Sequence, residues 1–388
     1  MSTASLMEMR KFLAPEFVFG PGSSALAGRY ARNLGGNKAM LVSDPGVAAS
    51  GSTGQVADSL RAEGIPLVEF LDVSSNPRDL QAMEGADLYT RQGCDLIVAV
   101  GGGSAIDCAK AIGIVSTNQR DILSFEGADN VPLPGPPLIC IPTTAGTAAD
   151  VSQFAIITDT VRKVKIAIVS KTLVPDVSLL DPVLTLSMPP ALTAHTGLDT
   201  LTHAVEAYVS NASSPVTDLL ALEAIRCVAA SLPQAIARPD ELEHRAQMLH
   251  ATLLAGLAFS NAILGAVHAM AHSLGGFLDL PHGQCNAILL DHVIRRNFDS
   301  APERYLDIAR ALGADVAGVD QEEGARRLLE TVRELKRAVG VTETLSGIGV
   351  TPGDIASLAA MAVNDPCMAT NPCPLGVHDI ERLYTQAL

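Results

Sequence analysis

Four short apolar runs in the first half of the chain constrain its fold most: "AMLVSD" at 39–44, "LVEFLD" at 67–72, "DLIVAV" at 95–100 and "LICIPTT" at 138–144. Each is continuous rather than alternating, and each ends in polar or turn residues. A strand that is apolar on both faces belongs to a sheet covered on both faces, which is a parallel sheet flanked by helices. The intervening segments supply such helices, as in "GQVADSLRAEG" (54–64) and "AIDCAKAIGIV" (105–115). "FAIITDTVRKVKIAIV" (154–169) reads instead as an antiparallel pair turning at Thr158–Lys163. Near "DPVLTLSMPPALTAHTG" (181–197) the strand-like runs stop. Ala/Leu-rich helical segments follow at 198–209, 216–231, 241–258, 261–275, 285–297, 303–312, 320–338, 353–362 and 378–387. The expectation is an α/β domain at 1–185 and an all-α domain at 186–388.

The 388 residues suffice for two cores. A net charge of −15 disfavours nucleic acid and anionic membrane surfaces as partners. The lack of Trp removes the usual base-stacking platform as well. Seven cysteines (94, 108, 140, 227, 285, 367 and 373) form no CxxC and cannot all pair, which reads as reduced thiols in a cytoplasmic protein. "MSTASLMEMRKFLAPEF" holds no apolar run of signal-peptide length, and no segment is expected to span a bilayer.

"DLIVAVGGGSAIDCAKAIG" (95–113) is a buried strand, a glycine turn and a helix. Glycines at 101, 102 and 103 let backbone N–H groups approach a phosphate, and the helix that follows points its positive end at it. Ser104 and Asp107 fit a capping box. The turn lacks both the G-x-G-x-x-G spacing and a Walker lysine, so it reads as an anion site of no particular family. "IPTTAGTAAD" (141–150) places hydroxyls at Thr143, Thr144 and Thr147 after another strand. Such a turn binds phosphate or satisfies its own backbone. Lys165, in "KVKIAIV", reads by default as an exposed strand residue.

In the second half, "HTGLDTLTHAVEAYVS" (195–210) sets Asp199 and His203 four apart, on one helix face. "HAMAHSLGGFLDLPHG" (268–283) does the same with His268 and His272, and adds His282 in a Pro-His-Gly turn beyond a Gly-Gly break. Burying that many ionisable groups in an apolar region costs several kcal/mol unless they are paired or bind a metal. One carboxylate oxygen and three imidazole nitrogens leave an open coordination position, which suits catalysis on Fe²⁺ or Zn²⁺. Spacing alone leaves open which of His268, His272 and His282 stands off the metal.

These stretches, with "FVFGPGS" (17–23), "SNP" (75–77), "GGGSAIDCAKAIG" (101–113), "IPTTAGT" (141–147), "TGLDTLTHAVEAY" (196–208) and "NDPCMATNP" (364–372), resemble the iron-containing (group III) alcohol dehydrogenases over essentially the whole chain. The resemblance implies an N-terminal Rossmann-like nucleotide domain, an all-α metal domain, and an active site in the cleft between them. It implies that Asp199, His203, His268 and His282 bind the metal, Fe²⁺ first and Zn²⁺ as the alternative. It places His272 beside the nicotinamide, where it relays a proton. Gly102, Gly103, Ser104, Thr143, Thr144, Thr147 and Lys165 would contact NAD, and Asp44 its ribose. The implied activity is NAD-dependent oxidation of an alcohol, or reduction of the aldehyde, by a homodimer or larger homo-oligomer. The motif segments of the helical half hold no Arg or Lys to pair an acid group, so small uncharged primary alcohols are the expected substrates. Departures from the family pattern are Ala148, Ala149 and Asp150 in place of Gly-Ser-Glu, Asp291 for Pro, Gln284 for Val and Cys373 for Arg. Two rival readings share the fold: a metal-dependent lyase or synthase related to dehydroquinate synthase, and an alcohol-sensing regulatory protein.

Overall fold

The structure, a computed structural model, describes residues 11–388; the first ten residues of the N-terminal stretch discussed above lie outside the described residues. Two compact units divide the chain, one of Leu13–Met188 and one that includes Pro189–Leu388.

In the first unit the elements run β1 (Glu16–Phe19), α1 (Ala27–Asn33), β2 (Ala39–Val42), α2 (Pro45–Ala49), α3 (Ser52–Ala62), β3 (Leu67–Phe70), α4 (Asp79–Gln92), β4 (Leu96–Gly101), α5 (Gly103–Asn118), β5 (Gly127–Ala128), β6 (Leu138–Pro142), β7 (Phe154–Asp159), β8 (Val164–Val169) and β9 (Val177–Leu180). Six strands make one sheet in the order β1-β9-β6-β4-β2-β3. Every pairing in it is parallel. The continuous apolar runs have the expected cause. Leu41, Val98, Val100 and Ile139 point to one face, against Ala27, Ala31, Val56 and Leu60 of α1 and α3. Their neighbours Met40, Val42, Ile97 and Ala99 point to the other, against Ile106, Ala109 and Ile112 of α5. Each fully buried aliphatic side chain contributes roughly 1.5–3 kcal/mol relative to exposure, so neither face tolerates a polar residue cheaply.

Because β2 has β3 on one side and β4 on the other, the strand order reverses there, and the carboxyl ends of β2 and β4 flank the switch point where such sheets bind ligands. Asp44 follows β2, and the glycine turn follows β4. The expected antiparallel pair is β7 with β8, to which β5 adds in parallel as a small second sheet. β1 and β9 were not expected from the sequence, whereas α4 fills the segment between "LVEFLD" and "DLIVAV" as a helix, as the pattern of intervening helices requires.

The second unit holds α6 (Pro190–Val209), α7 (Pro215–Ala237), α8 (Leu242–Ala262), α9 (Ala266–Leu278), α10 (His282–Asn297), α11 (Pro302–Ala311), α12 (Gln321–Ala338), α13 (Ile355–Ala362) and α14 (Val377–Ala387). Two expectations need correction. Gly275 and Gly276 do not break α9, which runs on to Leu278 and stops where Asp279 turns left-handed at φ 55°. His282 therefore opens α10 at its first turn instead of sitting in an isolated Pro-His-Gly turn. By length and composition alone α7 is apolar enough to cross a membrane. Its Asp218 pairs with Arg304, and its buried face packs along α6 and α8 as a core helix does.

Candidate metal centre and nucleotide loop

At the end of β4 the backbone turns at Gly101, φ 156°, where an added Cβ would lie 2.7 Å from Ala105 Cβ. Gly102 is the N-cap of the 16-residue α5, with no side-chain cap. A Cβ on Gly103 would meet Thr147 Oγ1 at 2.7 Å and its Cγ2 at 2.8 Å, and one on Gly102 would meet Thr144 at 3.3 Å. Gly103 is thus required by the close approach of the Thr147 loop, and Gly101 by its own backbone angle and the nearness of Ala105, while the first N–H groups of α5 have no partner within the helix. Thr143 is buried and donates its backbone N–H to Gly101 O. Ser104 stands half-buried beside them. Ala148 takes φ 50°, a conformation that costs a side-chain-bearing residue about 1 kcal/mol and that a glycine would adopt without that cost.

The capping box of Ser104 and Asp107 does not form. Asp107 Oδ2 accepts from Ile156 N of β7 at 3.2 Å. Desolvation raises Asp107 to about 6, against the pull of Lys110, the Ile156 N–H and Lys165 of β8. Lys110 is buried and donates to the carbonyls of Ser152 (2.8 Å) and Phe154 (2.7 Å). Asp44 caps α2, its Oδ1 accepting from Gly46 N and Val47 N at 2.9 and 3.0 Å. Its Oδ2 lies 3.3 Å from the position a Gly101 Cβ would occupy, so the carboxylate and the glycine turn are neighbours at the switch point.

The helical unit builds its site from three helices. Asp199 and His203 share a face of α6, His268 lies on α9, and His282 opens α10. Asp199 Oδ1 stands 3.9 Å from His203 Nε2, 3.7 Å from His268 Nε2 and 3.8 Å from His282 Nε2. One ligand atom from each of the four lies within 4.8 Å of every other. Two atoms each bound at about 2.1 Å to one tetrahedral ion sit roughly 3.4 Å apart, so small shifts accommodate a metal. Asp199 is buried, and its Oδ2 has no hydrogen-bond partner among the described residues. Burial pushes its carboxyl up, but the His203 and His282 imidazoles more than reverse this and hold it well below the carboxylate range. A buried carboxylate among imidazoles fits a divalent cation.

Glu206, three residues beyond His203 on the same face, anchors the centre. Its Oε2 pairs with His268 Nδ1 at 2.6 Å and accepts from Gly265 N at 3.0 Å, while Oε1 accepts from Val267 N at 2.7 Å. With Nδ1–H given to Glu206, His268 presents its Nε2 lone pair to the site. Asn286 of α10 completes the cluster, 2.6 Å from Asp199 Oδ1. His272 lies outside the four. Its Nδ1 meets Asp365 Oδ2 at 2.8 Å, and its ring stacks on His282 with centroids 5.3 Å apart. Asp365 accepts in turn from Cys367 N. Burial raises the Asp365 carboxyl, and His272 overcomes that to hold it low.

A parallel sheet with a glycine turn at its switch point, joined in sequence to a helical unit with one carboxylate and three imidazoles converging, defines a nucleotide-binding metalloprotein. Comparison with known proteins gives the family. Residues 14–182 match the family "Iron-containing alcohol dehydrogenase", and residues 193–388 match "Fe-containing alcohol dehydrogenase family, C-terminal". The chain is similar to 1,3-propanediol dehydrogenase of Klebsiella pneumoniae, 42% identical over 98% of this chain and 99% of that protein. It is similar to the NAD-dependent methanol dehydrogenase of Bacillus methanolicus, 36% identical over 97% and 99%. A crystal structure of 1,3-propanediol oxidoreductase superposes with a TM-score of 0.95 at 41% identity, covering 98% of this chain and all of that one. The chain belongs to the iron-containing alcohol dehydrogenase family.

Glu206, Asn286 and Asp365 were not singled out from the sequence. For the first two a signal existed, since Glu206 lies seven residues from Asp199 and Asn286 four from His282, both helical spacings. Asp365 meets His272 across 93 positions of sequence, and no local pattern announces it.

Proposed function

We propose that this alcohol dehydrogenase and aldehyde reductase oxidises small uncharged primary alcohols to aldehydes with NAD, releasing one proton, and runs in reverse at neutral pH. Asp199, His203, His268 and His282 hold the divalent metal, Fe²⁺ first and Zn²⁺ as the alternative. When bound, that metal supplies Lewis-acid polarisation of the substrate oxygen. The observation that carries the reading is the convergence of these four side chains, three of them buried, with one ligand atom from each within 4.8 Å of the others. Glu206 keeps His268 in the ligating tautomer. His272, oriented by Asp365, moves the proton at Nε2.

In the other unit Gly102, Gly103 and Ser104 present the α5 N-terminus to the cofactor's diphosphate, with Thr143, Thr144 and Thr147 beside it. Asp44 Oδ2 accepts from the ribose hydroxyls, and Lys165 adds a cation near Asp107. A relative named for 1,3-propanediol supports a short alcohol or diol over an acid. Seven unpaired cysteines support a reducing, cytoplasmic setting. The exposed Val216 and Leu219 of α7 support assembly as a homodimer or larger homo-oligomer. The test is NADH formation by the metal-loaded protein with ethanol, propanol and short diols. Preference for a phosphorylated or carboxylated alcohol overturns the substrate reading.

A further inference from the structure

Asn286 is fully buried on α10, one turn beyond His282. Its Nδ2 lies 2.6 Å from Asp199 Oδ1 and 3.1 Å from both His268 Nε2 and His282 Nε2. The Asp199 carboxylate, which can only accept, and the Nε2 lone pair of His268, whose Nδ1 is held by Glu206, face one end of the amide and set its orientation, nitrogen inward. Its Oδ1 is buried and has no hydrogen-bond partner among the described residues. An unpartnered buried carbonyl counts against folding, and a leucine of similar shape would avoid that cost. Folding alone therefore disfavours an amide here.

We infer that Asn286 is a positioning residue of the metal centre, donating from Nδ2 to hold Asp199 Oδ1 toward the three imidazoles. This rests on the reading of the four side chains as metal ligands. The contact to a carboxylate is charge-assisted and is the shortest of the three, so Asp199 is the group it governs. Nothing else among the described residues donates to Asp199 Oδ1 from α10. The α10 register that aims His282 at the site thus aims the donor as well, and the two act from one face of one helix.

The test uses N286L and N286A in the full chain, each in the wild-type and D199N backgrounds. Co²⁺ and Zn²⁺ affinities are read by chelator competition, Co²⁺ visible absorption reports the ligand geometry, and melting of the metal-free protein reports the fold. In the wild-type background, metal should bind about 10–100-fold more weakly, the usual effect of losing a partner that orients a ligand. The Co²⁺ bands should move, while metal-free N286L melts no lower than wild type. In the D199N background the further loss should be under about 3-fold, because the amide acts through Asp199. N286L fills the space of the amide and keeps the test open if N286A does not fold. Wild-type affinity and spectrum in N286L, or equal losses in both backgrounds, overturns the inference. Failure of the unaltered protein to bind either metal overturns the ligand reading with it.

Discussion

Replacing Glu206 by Gln changes one oxygen to NH₂ and leaves the side chain's shape alone. Glu206 accepts from three N–H donors: Val267 N at Oε1, and Gly265 N and His268 Nδ1 at Oε2. A glutamine has a single oxygen. With its NH₂ on the Oε1 side it faces the Val267 N–H, and with its NH₂ on the other side it faces Gly265 N–H. In the second arrangement His268 can accept at Nδ1 only by moving its proton to Nε2, which removes its lone pair from the metal. The carboxylate also loses its charge at the N-terminus of α9, where a negative group is favoured. Loss of such a partner lowers metal affinity by about 10–100-fold, or roughly 1.4–2.7 kcal/mol. The unmet donor adds about 1–3 kcal/mol to the cost of folding. Chelator competition with Zn²⁺, together with denaturant unfolding of the metal-free protein, separates the two effects. Metal affinity within about two-fold of wild type would show that Glu206 serves the backbone of α9 and not His268, and the tautomer argument would fail.

Three further outcomes follow from the same geometry. H272A should retain its metal while kcat falls about 10²-fold, and D365N should lower kcat in the same direction and shift the pH–rate profile. Metal loss in H272A equal to that of a ligand variant would refute the assignment. Wild type should prefer NAD over NADP by about 10²-fold in kcat/KM, because the 2′-phosphate meets Asp44 Oδ2. D44N, which preserves the cap on α2, should narrow that ratio without loss of stability, and an unchanged ratio would make Asp44 a cap alone. Asp107 is raised to about 6 in the folded chain, so it binds more protons there than when unfolded, and its contribution is present at low pH and lost as pH rises through about 4 to 6. The stability of wild type relative to D107N should therefore fall across that window, and a flat or rising difference would contradict it.

Long-period features of the chain were legible in its sequence, and features set by a tertiary partner were not. β2, β4 and β6 are buried on both faces, so every position in them is apolar and the run stands out. β9 is buried throughout as well, but it carries the polar Ser178, and its four residues are flanked by Asp176 and by Asp181-Pro182, so they read as part of a loop. The Gly-Gly in α9 reads as a breaker by propensity, yet packing holds both glycines inside the helix. The capping box at Ser104 fails because Gly102 already starts α5 and the Asp107 side chain is drawn to β7.

At the site, two i,i+4 pairs pointed to a metal, while the choice among His268, His272 and His282 came from the resemblance. The physical reason for that choice is tertiary. Asp365 takes Nδ1 of His272, Glu206 takes Nδ1 of His268, and only the second ring is aimed at Asp199.

The most direct test of the central claim is the metal content of the purified protein and its single-histidine variants, measured by elemental analysis. One divalent metal per subunit is expected in wild type and in H272A, with far less than one in H203A and H268A. Full metal in H203A or H268A, or loss in H272A to match H268A, would contradict the account.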